Sequence, residues 1–166
     1  PKEILDKILA PSDYRICFCD IETDISDEGF AEPKDANMAI TTISMMIGNK
    51  VCVLGTRPLV TEGTQTQSDV CAHLTARVRR YIGDNKIDLT YIMYPNELAM
   101  LEAFFMILNQ SVDVLTGWNF TCFDWYYIYN RCARVCGSTK ERDAMVARGS
   151  VMGQTVSMQM TDRSGV

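Results

Sequence analysis

Asp20 and Glu22 stand two residues apart at the end of an apolar run, "YRICFCDIET", residues 14–23. Side chains alternate along a strand, so both carboxylates share one face, about 7 Å apart along the chain. Two unpaired anions beside a buried strand repel each other and lose hydration. They are therefore expected to hold something positive. A second acidic candidate, Asp124, lies in "GWNFTCFDWYYIYNR", residues 117–131. It follows a strand pattern and opens a helical one, where the helix dipole supports a negative charge. Three carboxylates from two elements can bind hard divalent ions such as Mg²⁺ or Mn²⁺. Two such ions about 4 Å apart suit phosphodiester cleavage, one activating water and the other stabilising the leaving oxygen. Asn119 could donate to a phosphate. Of the neighbouring aromatics, Phe120, Phe123, Trp125, Tyr126 and Tyr127, most are expected in the core. Phe123 and Tyr126 or Tyr127 are expected to be exposed, where they could stack on bases of a single strand. Asp113, at the front of its strand, is expected to be solvated.

The composition sets bounds on this chemistry. The chain has 166 residues, 47% hydrophobic and 22% charged, enough for one domain with its own core. Net charge is −5, which argues against binding nucleic acid by bulk electrostatics alone. It leaves room for an acidic site neutralised by metal. The basic run Arg77, Arg79, Arg80 is expected to be a solvated helix face. Seven cysteines without a C-x-x-C pair argue against a zinc cluster or a disulfide framework and for a reducing compartment. One histidine, His73, leaves almost no material for His-dependent nucleophilic catalysis. No apolar run is long enough to span a bilayer.

The elements that must position the acids follow from periodicity. Residues 1–13 are expected to be an entry segment from a preceding domain, stopped by Pro11. Residues 14–22 are apolar at odd and even positions alike, which predicts a central strand buried on both faces. A polar loop over 24–37 precedes "MAITTISMMI" and "VCVLG", a hairpin turning at Gly48-Asn49-Lys50. Ser68 is expected to cap a helix carrying Val70, Leu74, Val78 and Ile82, closed by Gly83. A strand over 87–94 leads to a helix capped by Asn96, with Leu98, Leu101, Phe105 and Leu108 on one face. A short strand over 112–118 precedes a last helix from about Phe123 to Cys136, closed by Gly137, with Arg131 and Arg134 near its negative end. "QTVSMQM", from 154, could be a strand of a further hairpin. The order predicts an α/β fold around a mixed sheet.

"DIET", followed about a hundred residues later by "NFTCFD", resembles the Exo I (D-x-E) and Exo II (N-x(2,3)-F/Y-D) motifs of B-family DNA polymerases. "EPKDANMAITTISM" and "YPNELAMLEAFF" through "YNR" resemble polymerases of T-even-type bacteriophages, and the likeness covers about residues 12–140. The resemblance implies a ribonuclease H-like mixed sheet with flanking helices. It implies the 3′–5′ proofreading exonuclease part of a replicative DNA-directed DNA polymerase, using two Mg²⁺ or Mn²⁺ ions. By motif position, Asp20 would bridge both metals, Glu22 would ligate one and Asp124 the second. Thr23, Asn119 and Phe123 would meet a single-stranded 3′ end. The implied partners are that DNA end, the rest of the polymerase chain and a sliding clamp acting on the full-length protein, with no membrane. The implied location is the cytoplasm of an infected bacterial cell. The family's Exo III motif, Y-x(3)-D, has no match after Exo II: Asp143 and Asp162 are preceded at four residues by Thr139 and Met158. Residues 14–166 are thus expected to be an exonuclease domain incomplete at its C-terminus and nearly inactive alone. The competing expectations are a stand-alone exonuclease of the same superfamily and a truncated domain kept for packing or DNA binding.

Overall fold

The computed structural model describes residues 14–25, 29–58, 66–83, 86–150 and 152–153. The expected entry segment and the "QTVSMQM" strand lie outside the described residues.

Five strands form one mixed sheet. The first hairpin is β1 (Ile16–Thr23) and β2 (Ile40–Ile47), antiparallel, with Asp20 opposite Ser44 and Glu22 opposite Thr42. The predicted turn at Gly48 joins β2 to β3 (Lys50–Gly55), and Gly48 takes a φ of +59°, where a Cβ would be strained. Helix α1 (Gln67–Ile82) leads to β4 (Asp88–Met93), parallel to β3. Helix α2 (Glu97–Ser111) leads to β5 (Val114–Thr116), parallel to β1. Helices α3 (Asp124–Cys136) and α4 (Thr139–Arg148) complete the order. The strand order is β4-β3-β2-β1-β5, so β1 lies inside the sheet and is paired on both sides, as expected.

The two-sided burial expected of β1 is not what the structure shows. Cys17, Cys19 and Ile21 are buried, while the alternate positions Ile16, Phe18, Asp20 and Glu22 are exposed. The odd face meets the helices. Met100, Leu101, Phe104 and Phe105 of α2 pack against it with Ile43, Met45 and Leu54, and α3 and α4 pack onto α2. Among the described residues no helix covers the even face, and Phe18 is 59% exposed. Sequence alternation could not separate the faces, because both are apolar over residues 16–19.

Helix α1 starts earlier than expected. Thr66, not Ser68, is its cap, and a reciprocal pair of bonds with Asp69 closes a capping box. One stripe of α1 then covers the open edge of β4. Gln67, Cys71, Thr75 and Arg79 meet the backbone of Tyr91, Tyr91, Leu89 and Ile87 in turn. Four residues apart on a helix, they run alongside alternate residues of the strand and satisfy groups that would otherwise invite pairing. Arg79 is therefore an edge-capping residue, whereas Arg77 and Arg80 are exposed as expected. Gly83 and Gly137 close α1 and α3 in the left-handed region, and the Asn96 side chain accepts from the Ala99 N–H, all as predicted. Helix α4 is an addition to the predicted order. Its local signal is Ser138 three residues before Glu141, and the Ser138 hydroxyl accepts from the Glu141 N–H.

Candidate active site

Strand β5 ends at Thr116, beside Phe18, so β1 runs on past its parallel neighbour. The freed edge exposes the Ile21 N–H toward α3. The Asp124 carboxylate fills that place, accepting from Ile21 N at 3.1 Å. Ile21 stands between Asp20 and Glu22, so this bond ties the start of α3 to the acidic end of β1 at its middle residue. Asp124 is 3% exposed, one of two buried polar or charged residues among those described. Burial pushes its carboxyl above the ordinary range; the Ile21 and Asp124 backbone N–H groups draw it back, and the charges of Asp20 and Glu22 push it further up.

The turn that delivers Asp124 depends on two residues. Gly117 passes so close to β1 that a Cβ there would sit 2.2 Å from the Cys19 carbonyl oxygen. Asn119 adopts φ +52°, a left-handed conformation that Asn tolerates. Its carbonyl oxygen accepts from the N–H groups of Cys122 and Phe123, both at 3.0 Å. Asn119 is exposed, and this turn explains its residue type without reference to a ligand. At the other end of the site, the ladder between β1 and β2 slips between Glu22 and Thr23, a bulge of the kind that re-aims side chains. Thr23 is half-buried there, and the Thr41 hydroxyl donates to the Glu22 carbonyl. The neighbouring Asp24 is paired with Arg57 at 2.7 Å.

The aromatic expectations divide. Phe123 and Tyr126 are half-buried, and Phe120 is buried. Of the alternatives Tyr126 and Tyr127, Tyr127 is fully buried; its hydroxyl bonds the backbone of Met38 and its ring stacks on Phe123 at 6.0 Å. Trp118, placed by sequence inside a strand, is 93% exposed in the turn. Its neighbours Gly117 and Asn119, both turn formers, are the available signal. Asp113 is exposed, as expected, but not solitary: Arg15 grips both its oxygens at 2.9 Å. That hydrogen-bonded guanidinium pulls the Asp113 carboxyl down to about 2. Asp143 is held by Arg142 and Tyr129.

The donor set suits hard divalent ions, being carboxylate oxygen throughout. A cation beside Asp124 would offset the burial, and the lesser repulsion from Asp20 and Glu22, that raise its carboxyl. Among the described residues, no three His, Cys, Asp or Glu side chains are drawn together closely enough to grip an ion. The motif carboxylates are neighbours rather than a closed cage. Nor is any helix among the described residues long and apolar enough to cross a membrane.

Known proteins point the same way as these motifs. A 43-residue stretch is 44% identical to the "DNA polymerase catalytic subunit" of Epstein-Barr virus strains B95-8, AG876 and GD1. The match covers 25% of this chain and 4% of each subunit, so the chain spans a small part of the relatives it matches. Residues 2–164 match the family described as DNA polymerase family B, exonuclease domain. With a mixed five-stranded sheet, flanking helices and D-x-E at the end of an internal strand, the chain belongs to the B-family DNA polymerase exonuclease domains, of ribonuclease H-like fold.

Proposed function

We propose that this chain is the proofreading 3′–5′ exonuclease part of a replicative DNA-directed DNA polymerase. It hydrolyses the terminal phosphodiester bond of a single-stranded 3′ end. The observation that carries the reading is the bond from the Ile21 N–H to Asp124, because it draws the Exo II acid to the residue between the two Exo I acids. Asp20, Glu22 and Asp124 are the residues that would hold two Mg²⁺ or Mn²⁺ ions. When bound, these supply an activated water and stabilise charge on the leaving oxygen. Thr23, at the bulge, and Asn119 and Phe123, at the turn, receive the DNA end. The half-buried Phe123 ring, backed by Tyr127, offers a firm face for a base. The rest of the polymerase chain, and through it a sliding clamp, are the remaining partners. The place of action is cytoplasmic, in an infected bacterium if the gene is phage-borne.

The two-metal reading calls for a fourth carboxylate of Exo III type. The test compares the 166-residue chain with a longer one carrying Y-x(3)-D, on an end-labelled single strand with Mn²⁺. The longer chain should degrade from the 3′ end. Asp20→Ala with Glu22→Ala should abolish this by at least ~10³-fold, a scale equal to roughly 4 kcal/mol of transition-state stabilisation. The short chain should be nearly inactive, because a misplacement of about 1 Å can cost ~10²-fold. Digestion that survives loss of Asp20, Glu22 and Asp124 would refute the assignment. A second reading, a domain retained for packing against a polymerase or a DNA strand, is favoured by the apolar residues Ile16, Phe18 and Val114, which no helix among the described residues covers. An inert longer chain would support it.

A further inference from the structure

The polar residues Tyr127, Asn130, Arg131 and Arg134 recur at helical spacing and form one stripe of α3. Spacing alone gives the two arginines only a role at the helix's negative end. The structure uses the whole stripe to hold the segment that follows β1. The Tyr127 hydroxyl donates to the Met38 carbonyl at 2.8 Å and accepts from the Met38 N–H at 3.0 Å. Asn130 donates to the Pro33 carbonyl at 2.9 Å, and Arg134 donates to that of Asp35. Arg131 reaches the carbonyls of Ala36 and Asn37 at 3.1 and 3.0 Å.

Arg131 also forks onto Glu97, with contacts of 2.9 and 2.8 Å, and both side chains are about 15% exposed or less. Glu97 in turn accepts from the Ile40 N–H, the first residue of β2, at 2.7 Å. One residue earlier, the Ala39 carbonyl accepts from the Asp24 N–H at 2.8 Å, next to Thr23. A continuous chain of hydrogen bonds thus runs from the face of α3 to Asp24, the residue that follows β1. Its two ends are the two halves of the site. Asp124 and Phe123 stand one turn before Tyr127, and Glu22 and Thr23 stand just before Asp24.

We infer that Arg131, with Glu97 and Tyr127, is a positioning residue: it sets the register of α3 against β1 and so holds Asp124 and Phe123 in place opposite Glu22 and Thr23. This role rests on the exonuclease reading for its purpose, but the register itself can be measured without catalysis. Packing on α2 leaves α3 free to slide or turn slightly, and the direct bond from the Ile21 N–H to Asp124 fixes only its first turn against β1. The second tie, about two turns further along the helix, stops α3 from rotating about it. A planar fork that meets a carboxylate and two carbonyls at once is a task for arginine rather than lysine.

The experiment is amide hydrogen exchange by NMR on the 166-residue chain and its Arg131→Met, Arg131→Lys and Tyr127→Phe variants, in chelator and well below each unfolding transition. The readout is the Ile21 amide against the Leu54 amide, deep in the sheet. Arg131→Met should cost the Ile21 amide at least ~10-fold more protection than Leu54, the scale of losing a hydrogen bond to a charged group. Arg131→Lys should recover part of that loss. Tyr127→Phe removes one hydroxyl, no charge and no ring, so it keeps the test alive should Arg131→Met fail to fold; it should show the same selective loss, smaller in size. Mn²⁺ affinity should fall in the same order. Ile21 and Leu54 losing protection in step, or Ile21 losing none, would overturn the positioning role. If Mn²⁺ binding proves indifferent to Asp20→Ala, the metal reading fails, and Ile21 exchange still decides the register.

Discussion

Replacing Gly117 by alanine should disturb the site without touching any charged group. The added Cβ would lie 2.2 Å from the Cys19 carbonyl oxygen and 3.3 Å from the Phe120 side chain. A carbon and a carbonyl oxygen rest no closer than about 3.3 Å. The turn must therefore withdraw from β1 by about 1 Å, or β1 must give way. β1 has little freedom, because β2 pairs with it along its length and its odd side chains are in the core. The turn will move, carrying Asn119, Phe123 and the start of α3 with it. Forced overpacking of this kind costs about 1–3 kcal/mol. A loss of about 2 kcal/mol should lower the melting temperature by about 4–8 °C for a domain of this size. Urea titration should show a lower midpoint with an unchanged slope. In a chain completed through Exo III, the same displacement should cost exonuclease activity on the order of 10²-fold, beyond what instability explains at low temperature. A variant with wild-type stability, or with wild-type activity despite lower stability, would show that the close approach at Gly117 does not position Asp124.

Asp124→Asn keeps an acceptor for the Ile21 N–H and removes the buried charge, so in metal-free buffer it should be more stable than wild type. The sign follows from the raised carboxyl: the wild-type group favours folding in its protonated form, and stability is lost as pH rises through its folded titration. The gap in urea midpoint should be widest near neutral pH and close below about pH 4, the ordinary carboxylate range. The opposite sign is expected for Asp113, whose carboxyl Arg15 draws down to about 2. Its contribution is present above the ordinary carboxylate range and lost as pH falls toward 2, so wild type and Asp113→Asn should converge in acid. Both partners are exposed, so the difference should be small and shrink with added salt.

Elements governed by near neighbours in the chain are legible in the sequence itself. The hairpin at Gly48, the Asn96 cap, the glycine closures at 83 and 137, and the shared face of Asp20 and Glu22 all follow from alternation, helical spacing and turn chemistry. Helix α4 belongs with them in principle, since Ser138-x-x-Glu141 is a local capping signal. The family is legible as well, because "DIET" and "NFTCFD" together are specific where either alone is not. Other features have no local cause. Ile16 and Phe18 are as apolar as Cys17 and Cys19, so only the arrival of α2 on one side of the sheet decides which pair is buried. Sequence cannot choose between Tyr126 and Tyr127 as the surface aromatic until Met38 offers its backbone to Tyr127, and Arg131 looks like a dipole cation until Glu97 reaches it. Asp124 could have been an ordinary helix-start residue. Its partner, the Ile21 N–H, is 103 residues away and open only because β5 ends early. The residue types at this site follow from chain-local chemistry; which groups meet, and therefore the charge each one feels, is decided by contacts between elements far apart in sequence.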